Sequence, residues 1–115
     1  MKSISINMLA TIALTAVLLG CVPAKGMFYW EKYSATLYDW KKNPSDKTLA
    51  THKERLVKLI SDAPSNHRRV APGVHAEYGF LLLKEGKEVE GMQELDNEVN
   101  LFHESVVFIQ RLKDE

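Results

Sequence analysis

The side chains in this sequence that could do chemistry are one thiol and four imidazoles. Cysteine occurs once, at Cys21, and the histidines are His52, His67, His75 and His103. Thiols act as nucleophiles and metal ligands, and imidazoles act as general bases, proton carriers and metal ligands. A catalytic or metal site built from these groups requires a sequence spacing that brings several of them together in the fold.

The histidines do not stand at such a spacing. His52 falls on the apolar stripe of a predicted helix, which favours a hydrogen-bonded histidine between helices, and His67 lies in a polar loop. His75 precedes Glu77 by two residues, which sends the two side chains to different helix faces, and His103 stands before a predicted helix start. The His-Glu-x-x-His zinc motif is missing from the sequence. We predict no metal site, no cofactor and no catalytic residue.

Other catalytic motifs are also missing from the sequence. It contains neither a Gly-x-Ser-x-Gly nucleophile elbow nor a glycine-rich loop for phosphate or dinucleotide binding. Its carboxylate pairs, Asp96 with Glu98 and Glu88 with Glu90, are predicted to be charges on helix surfaces. The chain is therefore predicted not to be an enzyme.

The thiol of Cys21 ends an apolar run. Residues 8–19 are almost entirely apolar, but a helix needs about 20 such residues to span a membrane. A charged start at Lys2, an apolar stretch and a small residue before the cut site are the parts of a secretory signal peptide. We predict a signal peptide over residues 1–20, cleaved between Gly20 and Cys21.

The sequence Leu-Leu-Gly-Cys at 18–21 resembles the lipobox of bacterial lipoproteins. This resemblance implies a diacylglyceryl group on the thiol of Cys21, cleavage after Gly20 and acylation of the new amino group. Several acyl chains anchor a protein stably where one does not. Residues 21–26 would then form a lipidated tether, and residues 27–115 a domain held close to the membrane.

Charge and length restrict the partners and the size of the fold. The chain has 15 basic and 15 acidic residues, and removal of residues 1–20 takes away only Lys2, which leaves a net charge of about −1. Nucleic-acid binding depends on clustered cations that neutralise phosphates, so we predict no nucleic-acid partner. The remaining length suits one small domain, and a single cysteine allows no internal disulfide.

Hydrophobic periodicity predicts an all-α fold of about five helices, arranged as short antiparallel hairpins. No alternating strand pattern competes with it. In the first helix Trp30, Tyr33 and Trp40 are predicted to face inward, and in the last helix Val106 and Phe108 face inward together with Ile109 and Leu112. The predicted helices cover residues 27–42, 46–63, 72–85, 88–100 and 104–112.

The third and fourth predicted helices carry a more specific spacing. Gly79 and Gly91, followed by Leu95 and Phe102, resemble the tetratricopeptide repeat, a helical hairpin of about 34 residues with small residues where its helices touch. The two glycines are expected to let the helices approach closely. Glu98 stands where the repeat has a small residue. We predict one degenerate repeat at 70–103, preceded by a weaker helical pair at 29–63.

Three segments resemble the small bacterial lipoproteins grouped as domain of unknown function 4810. They are FYWEKY at 28–33, VAPGVHAEYG at 70–79 and LFHESVVF at 101–108, with Ala71 and His103 where the family usually has proline. The resemblance implies a periplasm-facing outer-membrane lipoprotein with tetratricopeptide-like helices, found beside a lipoprotein similar to the curli secretion channel. It implies no established activity and transfers no catalytic residue.

Six of the ten aromatic residues lie between Phe28 and Trp40. Three explanations are open: they form core, they contact lipid headgroups near the tether, or they form a surface for a partner. Phe28 and Tyr38 lie off the predicted inward face and are the candidate partner-binding residues.

We therefore expect a non-enzymatic outer-membrane lipoprotein, an accessory or scaffold protein that binds another envelope lipoprotein or a secretion-channel-like protein through its helical surface. It could be a subunit of a larger assembly. The alternative is a lipid-anchored metal-binding protein or hydrolase that uses His52, His75 or His103.

Overall fold

The computed structural model describes residues 25–114. Cys21, the predicted signal peptide over 1–20 and most of the predicted tether lie outside the described residues. The predicted all-α class is confirmed, since five α-helices account for most of the described chain. In chain order the elements are β1 (Phe28–Tyr29), α1 (Tyr33–Lys42), α2 (Asp46–Ser65), β2 (Arg69–Val70), α3 (Val74–Lys84), α4 (Glu88–Leu101), a 3-10 turn (His103–Ser105) and α5 (Val106–Asp114).

The first helix begins later than predicted. Residues 28–29 are extended and pair in parallel with β2, with Phe28 opposite Arg69, and α1 starts only after Lys32 in a left-handed conformation at φ 54°. Trp30 was predicted to face inward, but it lies before the helix and is 45% exposed. Aromatic residues are also common in strands, so the aromatic spacing led to a predicted helix start that is too early.

Helix α2 begins where its capping signal predicts. The side chain of Ser45 accepts a hydrogen bond from the backbone N–H of Thr48 at 3.1 Å, and the Thr48 hydroxyl accepts one from the N–H of Ser45 at 3.1 Å. This reciprocal pair satisfies two N–H groups that a helix start leaves free. The helix runs through Pro64 to Ser65, slightly beyond the predicted end, because a proline in the last turn removes only one helical hydrogen bond.

Helices α3 and α4 cross at the glycine pair, as predicted. A Cβ atom added to Gly79 would lie 2.8 Å from the carbonyl oxygen of Gly91, and one added to Gly91 would lie 2.9 Å from the carbonyl oxygen of Gly79. Real Cβ atoms essentially never approach so closely, so only glycine fits at both positions. The two backbones therefore touch directly.

Two apolar clusters form the core of the described chain. The first joins α2 to β2, α3 and the aromatic residues of the N-terminal segment, and its buried members are Leu56, Leu59, Ala71, Val74 and Leu81. The second joins α3, α4 and α5 through Ala76, Leu95 and Ile109. Helix α3 belongs to both clusters and is the central element of the fold.

Candidate functional site

A buried polar network links the first three helices around His52. The Nδ1 atom of His52 lies 2.8 Å from the hydroxyl of Thr36 on α1, and its Nε2 atom lies 2.9 Å from Oε1 of Glu77 on α3. The hydroxyl of Tyr33 donates to Oε2 of the same carboxylate at 2.7 Å. Two side chains of α1, one of α2 and one of α3 therefore form one continuous hydrogen-bonded network.

The carboxylate sets the proton positions in this network. An ionised carboxylate only accepts hydrogen bonds, so the contact with Glu77 places a proton on Nε2 of His52. The Thr36 hydroxyl, which contacts Nδ1, also lies 3.1 Å from the carbonyl oxygen of Tyr33. Burial, together with the hydrogen bond to Glu77, raises the pKa of Tyr33 well above its ordinary value. The phenol thus stays a donor to the carboxylate across the physiological pH range.

The hydroxyl, imidazole and carboxylate are the groups of a proton relay, but the imidazole is enclosed. His52 is 0% exposed, both of its ring nitrogens have partners, and the indole of Trp40 stacks on it with ring centres 5.6 Å apart. A substrate atom or a metal ion would have to displace one of those partners to reach the ring. The network fits best as a polar contact that fixes α1 and α3 against α2, as the sequence predicts for His52.

A second imidazole–carboxylate pair joins the next two helices. Nδ1 of His75, buried on α3, bonds to Oε2 of Glu94 on α4. Glu77 does not pair with His75, as their spacing predicts. His67 and His103 are exposed at the surface. Within residues 25–114 there is no group of three or more histidine, cysteine, aspartate or glutamate side chains placed to hold a metal ion.

Glu98 is not the surface charge that the sequence predicts. It is only 2% exposed, its Oε1 accepts a hydrogen bond from the backbone N–H of Gly73 at 2.8 Å, and its Oε2 lies 3.3 Å from that of Ala76. These N–H groups are at the start of α3, where a helix has free donors and a partial positive charge. Gly73, at the N-cap position, has no side chain that could accept these hydrogen bonds. Glu98, which is distant in sequence on α4, caps the helix instead.

The two candidate partner-binding residues have different surroundings. Phe28 is half-buried, and its ring meets that of Phe102 edge-on with the ring centres 6.0 Å apart. Tyr38 on α1 is 60% exposed, with the ammonium group of Lys42 5.5 Å from the centre of its ring. Of the two, only Tyr38 presents most of its surface to solvent.

A larger apolar surface lies between α3 and α5. Of the four apolar residues predicted to face inward on α5, only Ile109 is buried, while Val106 and Phe108 are exposed, as is the neighbouring Val107. A groove, here called the α3–α5 groove, is lined by Gly73, Ala76, Glu77, Phe80, Phe108 and Leu112, whereas Val106 and Val107 lie on a separate surface of α5 with Gln110 and Arg111. The signal for it was the unbroken apolar run at 106–109, which is too wide for one helix face.

Comparison with known proteins identifies one family. Its model, described as "Domain of unknown function (DUF4810)", matches residues 27–112. No curated protein and no solved structure matches the chain significantly. Across the described range 25–114, no helix combines the length and apolar character that crossing a bilayer requires.

Proposed function

We propose that this chain, which belongs to the family of domain of unknown function 4810, is a non-enzymatic accessory lipoprotein of the outer membrane. It faces the periplasm and binds another envelope protein, such as a secretion-channel-like lipoprotein, through its helical surface. The observation that carries the proposal is the α3–α5 groove, in which the large apolar side chain of Phe108 is exposed.

The groove has the composition of a protein-binding surface. Phe108 is 57% exposed and shares the groove with Phe80 on α3. Contiguous apolar surface on a soluble domain commonly marks an interaction site, and large aromatic side chains contribute most of the binding free energy at such sites. Stacked helical hairpins bind peptides or helices along grooves of this kind. An amphipathic helix that presents apolar side chains to Phe80 and Phe108 would suit it.

Lipid anchoring is the second part of the proposal and rests on the sequence at 18–21. Full-length protein with Cys21→Ser should remain uncleaved and should not incorporate radiolabelled palmitate in cells. The unchanged chain should be cleaved and should incorporate the label. Cleavage and labelling that survive the substitution would contradict the anchor. The result does not depend on whether a partner binds to the groove.

Partner binding is tested by photo-crosslinking in cells. A photoreactive phenylalanine analogue replaces Phe108, which is exposed and lines the α3–α5 groove, and a matched variant carries it at exposed Gln93 on α4. We expect a discrete adduct with one envelope protein from position 108 only, and its loss on Phe80→Asp. Identical adducts from both positions, or none from position 108, would contradict binding at this groove. A third variant at Tyr38 tests the surface predicted from the sequence.

A further inference from the structure

A groove of opposite character lies beside the N-terminal segment. It is lined by Lys25, Gly26, Met27, Asn66, His67, Arg68 and Arg69, and we call it the basic groove. The pairing of β1 with β2 creates it, because the backbone N–H of Arg69 donates to the carbonyl oxygen of Met27 at 3.2 Å and brings the two stretches side by side. Cationic side chains line both walls, and none of the lining residues is acidic.

The arginines of the basic groove are held by aromatic rings and not by carboxylates. The guanidinium of Arg69 lies 5.8 Å from the ring centre of Phe28 and 5.3 Å from that of Phe102, and that of Arg68 lies 5.9 Å from the ring centre of Tyr29. Such contacts orient an arginine without neutralising its charge. Both guanidinium groups are therefore positioned while their charge stays available.

Several lysines of the described chain, unlike these two arginines, are paired with carboxylates. Within residues 25–114, no arginine has a carboxylate within 4.0 Å, whereas lysines form four ion pairs, through Lys53, Lys58, Lys87 and Lys113. The Nε–H of Arg68 is buried and has no acceptor. The acidic residues nearest along the chain are Glu31, which accepts from the Tyr29 hydroxyl, and Asp62, which accepts from Ser61. A balanced net charge thus conceals a local excess of positive charge.

The basic groove is also close in sequence to the predicted lipid anchor. Lys25 follows Cys21 by four residues, which span at most about 14 Å when fully extended. A membrane surface rich in anionic lipid attracts cations within about one Debye length, roughly 8 Å at physiological ionic strength. A protein anchored at Cys21 would therefore hold Lys25 within about 14 Å of the membrane surface, which is less than two Debye lengths.

We propose that the basic groove binds the phosphate group of an anionic phospholipid. Arg68 and Arg69 would donate to the phosphate oxygens, for which the planar guanidinium is well suited, and Lys25 would add charge from the opposite wall. The site goes beyond the proposed function, because binding through Lys25, Arg68 and Arg69 requires neither acylation of Cys21 nor a protein partner. It would fix the orientation of the domain on the bilayer, which a tether alone leaves free.

The test measures binding of full-length protein carrying Cys21→Ser to two kinds of vesicle, so that no acyl chain contributes. The readout is the ratio of affinity for vesicles containing phosphatidylglycerol to affinity for pure phosphatidylcholine, which cancels apolar insertion. Arg68→Gln with Arg69→Gln should lower this ratio about 10- to 30-fold, as expected for two basic residues at an anionic surface. Lys47→Gln with Arg111→Gln removes the same charge elsewhere and should leave the ratio unchanged. Equal losses from both double variants would overturn the site.

Two further measurements keep the result interpretable. Lys25→Gln alters an exposed residue ahead of β1, should not disturb folding, and should lower the ratio about fivefold. If it has no effect, the groove is not the lipid site. Inorganic phosphate, titrated without vesicles and followed by the NMR signals of the arginine side chains, separates the two sources of phosphate. Saturation by inorganic phosphate as tight as vesicle binding would overturn the membrane assignment, and weak or undetectable binding would support it.

Discussion

Glu98 on α4 accepts a hydrogen bond at 2.8 Å from the backbone N–H of Gly73, at the start of α3. The carboxylate therefore supplies a helix cap that the local sequence lacks, and it ties the two helices together at a point where water is excluded. This relationship turns a charge that would ordinarily cost stability when buried into part of the core.

Replacing Glu98 should therefore destabilise the domain. Glu98→Gln keeps one accepting oxygen but loses the negative charge and the second acceptor, and we expect it to lower the free energy of unfolding by about 1 to 2 kcal/mol. Urea titration followed by circular dichroism measures the change. The exposed Glu90→Gln on the same helix is the control and should fall within about 0.5 kcal/mol of the unchanged protein. Equal effects of both substitutions would show that the cap contributes nothing specific.

The network around His52 gives a second prediction. His52→Ala would leave one oxygen of Glu77 without its partner and would remove a fully buried ring that stacks on Trp40, so we expect the free energy of unfolding to fall by about 2 to 4 kcal/mol. Thermal unfolding checks this, with exposed His103→Ala as the near-neutral control. Metal analysis of the purified protein separates the alternative function. Stoichiometric zinc or copper that disappears with His52→Ala would contradict a purely structural role.

Contact between the α3 and α4 backbones gives a third prediction. Alanine normally favours a helix by about 1 kcal/mol over glycine, so replacing glycine with alanine at an uncrowded helix position would stabilise the protein. Here its Cβ would meet the backbone oxygen of Gly91, and we expect a net loss of about 1 to 3 kcal/mol, with Gly79→Leu at least as large. Gly26→Ala, where nothing lies within 4 Å, is the control. A melting temperature unchanged or raised by Gly79→Ala would rule out the close crossing.

Tyr33 gives a prediction for alkaline pH. Burial and the hydrogen bond to Glu77 raise its pKa in the folded protein above the ordinary value of 10.0. Above pH 10 the unfolded chain loses the phenolic proton while the folded chain keeps it, so the unfolded state binds fewer protons and stability falls as the pH rises. The contribution of Tyr33 is fully present below pH 10 and is lost progressively towards the folded-state pKa.

Urea midpoints measured from neutral pH to above pH 10 test this titration. Tyr33→Phe should lower stability by about 1 kcal/mol at neutral pH and should lose less on alkalinisation than the unchanged protein. Tyr38→Phe, at an exposed position, is the matched control and should follow the unchanged protein. Parallel curves for all three proteins would refute the role assigned to the Tyr33 proton.

Local signals in the sequence predicted much of the fold. Ser45 before a long amphipathic stretch marked the start of α2, and Gly86, at φ 78°, marked the turn after α3. Gly79 and Gly91 indicated the close crossing because their spacing resembles that of a tetratricopeptide repeat, which has small residues where its helices touch. In each case a few adjacent residues carry the information.

Features that depend on distant residues were not predictable in the same way. Phe28 and Tyr29 fit a helical pattern until Arg69 and Val70 provide a strand for pairing. The amphipathic pattern treats every carboxylate as a surface residue, so it gives no sign that Glu98 reaches the amide of Gly73. On α5 the apolar run was visible, but periodicity alone does not decide which of its residues remain exposed.

The pairing of β1 with β2 also bears on the order in which the chain folds. A chain is synthesised from its N-terminus, so Phe28 cannot pair with its partner until Arg69 has been made, whereas the α3–α4 hairpin joins neighbouring helices. Contacts between nearby residues close faster than contacts across long loops. We expect amide protection in pulsed hydrogen exchange to appear in the hairpin before it appears at Tyr29, and the reverse order would refute this. The N-terminal end, the first part of the domain to be made, would then be the last to acquire its structure.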